Sequence, residues 1–139
     1  MATLEEIEMA MRRANWTEGA RLSRELLMGR PTDAKIHAYE GLCFFRLGQF
    51  DQAEPCFMRA TALDPKFVDA GIKRCQCLDR MRRYDEALAL AREWIVHRPG
   101  DPALNAIVDV HHYRANPRRT EGWEISAQSM GRAHFASDL

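Results

Sequence analysis

Apolar residues in the middle of the chain return at intervals of three and four, as Ala53, Phe57 and Ala60, and again as Ala87, Leu90, Ala91 and Trp94. Residues three and four apart share one face of an α-helix, so these runs read as buried helical stripes and not as the alternation of a half-buried strand. Short joints at Gly48 and at Arg82-Arg83 interrupt the stripes. The pattern predicts short helices in consecutive antiparallel pairs and no β-sheet. Asp51 and Asp85 stand near the starts of second helices, where each is predicted to cap by accepting backbone N–H bonds, with Glu54 completing a D-x-x-E capping box. Pro55 follows within the first turn or so, where a missing N–H costs little. Phe57 and Trp94 are predicted core residues of their second helices.

A longer period overlies the helical one. Pro31, Pro65 and Pro99 are 34 residues apart, and the same interval links Trp16, Phe50 and Tyr84, which precede T-E-G, D-Q-A and D-E-A. A fixed period of this size marks stacked supersecondary units, here helical hairpins. The echo continues toward the end of the chain. RTEGWEIS at 119–126 resembles WTEGARLS at 16–23, and Thr17 and Thr120 are 103 residues apart, one more than three times 34. PALNAIVDVHHYR at 102–114 then holds the place of a fourth first helix. Its apolar residues Leu104, Ile107, Val108, Val110 and Tyr113 cover more than one face, and Trp123, Ile125 and Met130 would shield them from water. One domain is predicted over residues 1–131, with units 1–33, 34–67, 68–101 and a degenerate 102–131, followed by a loose end at 132–139.

These units resemble the tetratricopeptide repeat family. Residues 34–67 match best, through Gly41, Leu42, Phe44, LGQFDQA, Phe57, Ala60 and LDP at 63–65. Residues 68–101 match in YDEALALA, Trp94 and Pro99 but carry Cys75 where the family favours Gly, and residues 1–33 match mainly in WTEGA and Pro31. The resemblance implies an all-α, right-handed α-solenoid of tetratricopeptide-type helical hairpins, three clear repeats plus a degenerate fourth, whose first helices line a concave groove. The groove positions carry over as Leu4, Ala38, Ile72 and Ala106 in one row and Glu8, Leu42, Gln76 and Val110 in a second. Met11, Phe45, Asp79 and Tyr113 form a third row, and Arg12, Arg46, Arg80 and Arg114 a fourth. Some members grip a C-terminal carboxylate through a Lys/Asn clamp, from which this sequence departs with Glu8 and Tyr39 in place of two Asn and Asp69 in place of a Lys.

Charge and composition narrow the chemistry. Of 139 residues 46% are hydrophobic, enough for a core, while 20 basic residues balance 20 acidic ones, leaving no bulk field for nucleic acid or an anionic membrane. The opening MATLEEIEMAMRR is acidic and amphipathic, unlike a secretory signal, and no stretch reaches the length of an apolar membrane span. Cys43, Cys56, Cys75 and Cys77 lack disulfide-framework spacing, so a reduced, cytoplasmic protein is expected. Cys75 and Cys77, with His111-His112 beyond, raise zinc, but residues two apart on a helix point about 200° around the axis. Buried structural thiols are the better assignment, since free cysteine commonly packs as a small apolar residue. No phosphate loop, H-E-x-x-H or G-x-S-x-G occurs, so neither enzyme nor cofactor is expected.

What remains is the concave face. The sequence predicts an adaptor or chaperone-like module that binds a peptide or helix of a partner protein carrying apolar and acidic residues. Leu4, Met11, Leu42, Phe45, Ile72, Val110 and Tyr113 would supply burial, Gln76 lies in the groove beside them, and Arg12, Arg46, Arg80 and Arg114 would give register and acid preference. The alternative is a structural protein that self-associates through its terminal helices.

Overall fold

The computed structural model describes the backbone of residues 2–115 and the side chains of residues 2–110. Among the described residues there are seven helices and no strand: α1 (Leu4–Arg12), α2 (Trp16–Gly29), α3 (Ala34–Arg46), α4 (Phe50–Leu63), α5 (Val68–Arg80), α6 (Tyr84–Ile95) and α7 (Pro102–Ala115). The proposed fourth second helix at 120–130, its shielding residues Trp123, Ile125 and Met130, and the loose end lie outside them.

The 34-residue period is built into the turns. Ala14, Gly48 and Arg82, each 34 residues from the next, adopt φ of 57°, 77° and 64°. At these three turns the following N–H reaches back over the end of the first helix: Asn15 to the Ala10 carbonyl at 2.8 Å, and Gln49 to Phe44 and Arg83 to Leu78 at 2.9 Å. This closure satisfies carbonyls that a helix end would leave bare and reverses the chain within a few residues. Each second helix therefore begins at its aromatic residue, Trp16, Phe50 or Tyr84, and for α4 and α6 that is two positions earlier than caps at Asp51 and Asp85 would place it. That early start moves the caps. Gln49 and Arg83 take the capping positions of α4 and α6 without a side-chain bond, and Asp51 and Asp85 fall inside the first turn, where their charge favours the helix N-terminus without capping it. Pro55 consequently sits in the second turn of α4 and not the first, and Glu54 turns inward in place of closing a capping box. Three of the four first helices are capped by side chains: Thr3 and Glu6 form a capping box on α1, Asp33 caps α3, and Asp101 accepts from the Leu104 N–H at 3.0 Å in α7, whereas α5 starts after Phe67 without a side-chain cap.

Every helix packs on its neighbours in sequence, and α1 also meets α3, α3 meets α5 and α5 meets α7. No such next-but-one contact joins the even-numbered helices, so among the described residues the odd helices form the inner wall of a curved stack and the even ones its outer wall. A central core of Phe44, Ala53, Cys56, Phe57 and Ala60 lies between one N-terminal cluster around Ile7 and Ile36 and one C-terminal cluster around Leu78 and Leu104. Phe57 is fully buried, whereas Trp94 is only half-buried.

The third unit solves the small-residue problem differently from the second. A Cβ on Gly41 would stand 2.9 Å from the Phe57 ring, the close approach that the family pattern anticipates. In the third unit Cys75 holds the equivalent position, and the close approach moves one turn back, to Gly71 beneath the Trp94 indole. The positions equivalent to Gly71 are His37 and Asn105, whose side chains instead lie 2.8 Å and 3.0 Å from the Pro31 and Pro99 carbonyl oxygens.

Two buried carboxylates tie neighbouring hairpins together. Glu54 of α4 meets Arg74 Nε of α5 at 2.7 Å, and Glu40 of α3 meets Arg24 Nε of α2 at 3.3 Å while also accepting from the Cys56 thiol at 3.3 Å. All four cysteines are buried and unpaired. Burial pushes the thiols up, Cys43 to about 11 and Cys56, Cys75 and Cys77 to about 12.

Candidate functional site

On the inner wall a pocket of about 540 Å³ opens between the N-terminal halves of α3 and α5. Ala34, Ala38 and Leu42 form its α3 side, Ala70 its α5 side, and Phe57 and Phe67 its base and end, with Lys35, Tyr39, Asp64, Asp69 and Lys73 at its edges. Small residues on the facing helices leave this space: Ala38 and Ala70 stand where bulkier side chains would fill it. Its apolar walls and charged edge suit one apolar side chain of a ligand plus polar contacts around it.

Toward the C-terminal ends of α3 and α5 the wall becomes cationic, and the cations rest on rings. Arg46 lies over Trp16 at 5.5 Å, Arg80 over Phe50 at 5.4 Å, and Lys73 over Phe45 at 4.6 Å from the ring centroid. Phe45 and Phe50 meet edge to face at 5.2 Å, which draws two of the three pairs into one cluster. Among the described residues none of these three cations makes an ion pair. Ring faces attract the positive charge without consuming its N–H donors. Burial lowers the Lys73 pKa, and repulsion from Arg46 adds to the shift.

Along the other edge of the pocket the polar side chains are engaged with one another. Tyr39 donates its hydroxyl to Glu8 at 2.8 Å, and Lys35 Nζ stands 3.8 Å from the same carboxylate. Burial, followed by the neighbouring Glu8, pushes the Tyr39 phenol up to about 12. Asp69 accepts from Arg98 at 2.7 Å. Glu8, Tyr39 and Asp69 are the three departures from the carboxylate clamp, and each is engaged with another side chain of this protein.

The structure separates the residues that the sequence grouped. Leu42 lines the pocket, Phe45 joins the cation cluster, and Met11 faces a smaller hollow with Glu8, Arg12 and Tyr39. Arg12, Arg46 and Arg80 are exposed, and Leu4 and Gln76 are half-buried, Gln76 Oε1 having no hydrogen-bond partner. Val110 is 49% exposed. Ile72 departs from its assigned place: it is 7% exposed and packs into the core shared by α5, α6 and α7, because its side of α5 is covered by those helices. The Tyr113 and Arg114 side chains lie outside the described ones. Lys73 was missed. The signal was present, since Lys73, Gln76 and Arg80 recur at helical spacing on one face of α5.

A tetratricopeptide repeat family model matches residues 34–67. Solved structures with similar folds include the Arabidopsis OM64 TPR domain, 23% identical over 77% of this chain and 88% of that one, with a TM-score of 0.72. The first TPR of Spaghetti (RPAP3), bound to the HSP90 peptide SRMEEVD, is 15% identical over 80% of this chain and 88% of its own, with a TM-score of 0.74. The Yersinia enterocolitica type III secretion chaperone SycD, in complex with a peptide of the translocator YopD, is 13% identical over 81% and 91%, also with a TM-score of 0.74. No curated protein matches the chain significantly. The repeat spacing, the hairpin stack with its odd helices inside and these similarities lead to one assignment: residues 34–67 are a tetratricopeptide repeat, and the chain has the fold of tetratricopeptide repeat domains.

Proposed function

We propose that this protein is an interaction module that holds a segment of a partner protein against its inner wall, as an adaptor or chaperone-like holder. The observation that carries this reading is the juxtaposition of the α3–α5 apolar pocket with the cations at Phe45, Trp16 and Phe50. Peptide complexes of structurally similar domains support it, those of Spaghetti and SycD among them. Burial in the pocket supplies most of the affinity, and Arg46, Lys73 and Arg80 supply orientation and preference for acidic groups. The four unpaired thiols favour a reducing compartment, and we place the protein in the cytoplasm. Among the described residues no helix is long and apolar enough to cross a membrane.

The test begins with affinity capture and mass spectrometry to find the partner, followed by titration calorimetry of variants against it. Phe45→Ala is expected to weaken binding more than Arg46→Ala, and Arg46→Glu with Arg80→Glu to abolish the preference for acidic segments while the circular dichroism spectrum is retained. Binding by all variants at the wild-type level would remove the inner wall from the mechanism. It would direct attention to self-association at α7, where Val110 is exposed.

A further inference from the structure

The pocket and the cation cluster lie at different heights on the same two helices, and Glu8, Tyr39 and Asp69, the three departures from the carboxylate clamp, are engaged with other side chains of this protein. From Ala38 and Leu42 in the pocket to Arg46 at the end of α3 is eight and four residues, or about 12 and 6 Å along the helix axis. Lys73 bridges the two zones, since it borders the pocket and stands over Phe45. An extended peptide rises about 3.3 Å per residue, so a side chain in the pocket and a carboxylate at the cations are separated by about two to four residues. At the other end, Glu8 and Asp69 stand in place of an Asn and a Lys of the carboxylate clamp and offer no donor to a terminal carboxylate, and Tyr39, Lys35 and Arg98 are engaged with them.

We infer that the occupant of this groove is an internal segment of a partner protein with one large apolar side chain in the α3–α5 pocket and a pair of carboxylates about three residues away at Lys73, Arg46 and Arg80, and that it needs no free C-terminal carboxylate. This rests on the groove reading above and narrows it to a spacing and a chain position. Carboxylates are chosen over a single compact dianion because the cations are spread over α3 and α5, whose axes are about 8 to 10 Å apart, and so reach several acidic groups in succession. Each guanidinium keeps an edge for a carboxylate while its face stays on the ring.

The test uses the full chain, isotope-labelled, and synthetic Gly/Ser peptides blocked at both ends. Each peptide carries one Leu or Phe and one Glu-Glu pair at separations from one to six residues, and binding is read from amide chemical shifts. Tightest binding is expected near a separation of three, with saturable shifts at Leu42, Phe45 and Lys73. Replacing Glu-Glu by Gln-Gln should weaken that peptide at least fivefold, Lys73→Gln should remove most of this difference, and unblocking the C-terminus should change affinity less than twofold. Equal affinity at all separations, fivefold tighter binding of the unblocked form, or no saturable shifts on α3 and α5 would each overturn the inference. It would likewise fall if peptides bound only after deletion of residues 132–139, which would give the groove to the chain's own end, or if the shifts followed protein concentration alone, which would give it to a second copy. Loss of a captured natural partner on Phe45→Ala, with no blocked peptide binding, would remove the spacing rule and leave the groove reading in place.

Discussion

Adding one methyl group at Gly71 tests how the third hairpin is held. A Cβ there would lie 2.2, 2.5 and 2.6 Å from the Trp94 indole atoms Cε2, Cδ2 and Cζ2. Carbon atoms pack at about 3.5 to 4 Å, so a fused, rigid ring must retreat by about 1 Å or more, with His97 close on one side at 5.6 Å between centroids. Overpacking of this kind costs about 1 to 3 kcal/mol, and Ala over Gly inside a helix returns about 0.8 to 1 kcal/mol. Since the obstruction is a ring body and not the end of a flexible chain, the upper part of the range applies, and Gly71→Ala should lose about 1 to 2 kcal/mol net. For a domain of this size that lowers Tm by roughly 3 to 8 °C. Gly29→Ala is the control: nothing lies within 4 Å of its Cβ, and it should gain about 0.5 kcal/mol from reduced chain entropy. The assay is urea denaturation followed by far-UV circular dichroism, repeated in a Trp94→Leu background. There Gly71→Ala should become neutral or stabilising. An unchanged urea midpoint for Gly71→Ala in the wild-type background, or an equal loss in both backgrounds, would refute the contact.

Phe57→Ala empties a fully buried site in the central core and should cost about 3 to 5 kcal/mol in the same urea assay. Arg74→Ala should cost about 2 kcal/mol, because Glu54 is left as a buried carboxylate without its partner, whereas the largely exposed Arg24 should cost below about 1 kcal/mol and Glu40 retains the Cys56 thiol. The four thiols carry pKa values raised above the ordinary 9.0, so the folded state holds their protons more tightly than the unfolded chain. Their contribution is full below pH 9 and is lost as pH rises through 11 to 12, so the urea midpoint should fall across that window, and Cys56→Ala should flatten the fall.

Most of the fold was legible because the repeat imposes the same physical problem every 34 residues. The prolines, the aromatic residues that open second helices and the apolar stripes state both the hairpin and its register. The caps were misread for a reason local to the turn. Asp51 has the chemistry of a cap, but the left-handed residue at Gly48 brings the chain round so quickly that Phe50 is already helical. Sequence pattern records which residues favour a cap and not how many residues the preceding turn consumes. Ile72 was displaced for a related reason: repeat position puts it in a groove row, and whether that row faces open space depends on α6 and α7, which cover it here.

The arginine row shows most clearly what position alone leaves out. Arg46 meets Trp16 and Arg80 meets Phe50 at the same offset of 30 residues, so the end of one first helix always returns to the start of the previous second helix. The same offset separates Arg114 from Tyr84 in the sequence. A row that the sequence assigns to partner recognition is thus also part of how the hairpins stack. The two uses are compatible because a guanidinium presents a flat face and a donor edge, and ring contact occupies only the face. Lysine has no such division, so Arg46→Lys at this position removes the flat contact while preserving the charge. Arg46→Lys should therefore lower stability slightly and leave the attraction for acidic segments largely in place, whereas Arg46→Gln should lose both. That contrast separates the packing role of the row from its electrostatic one.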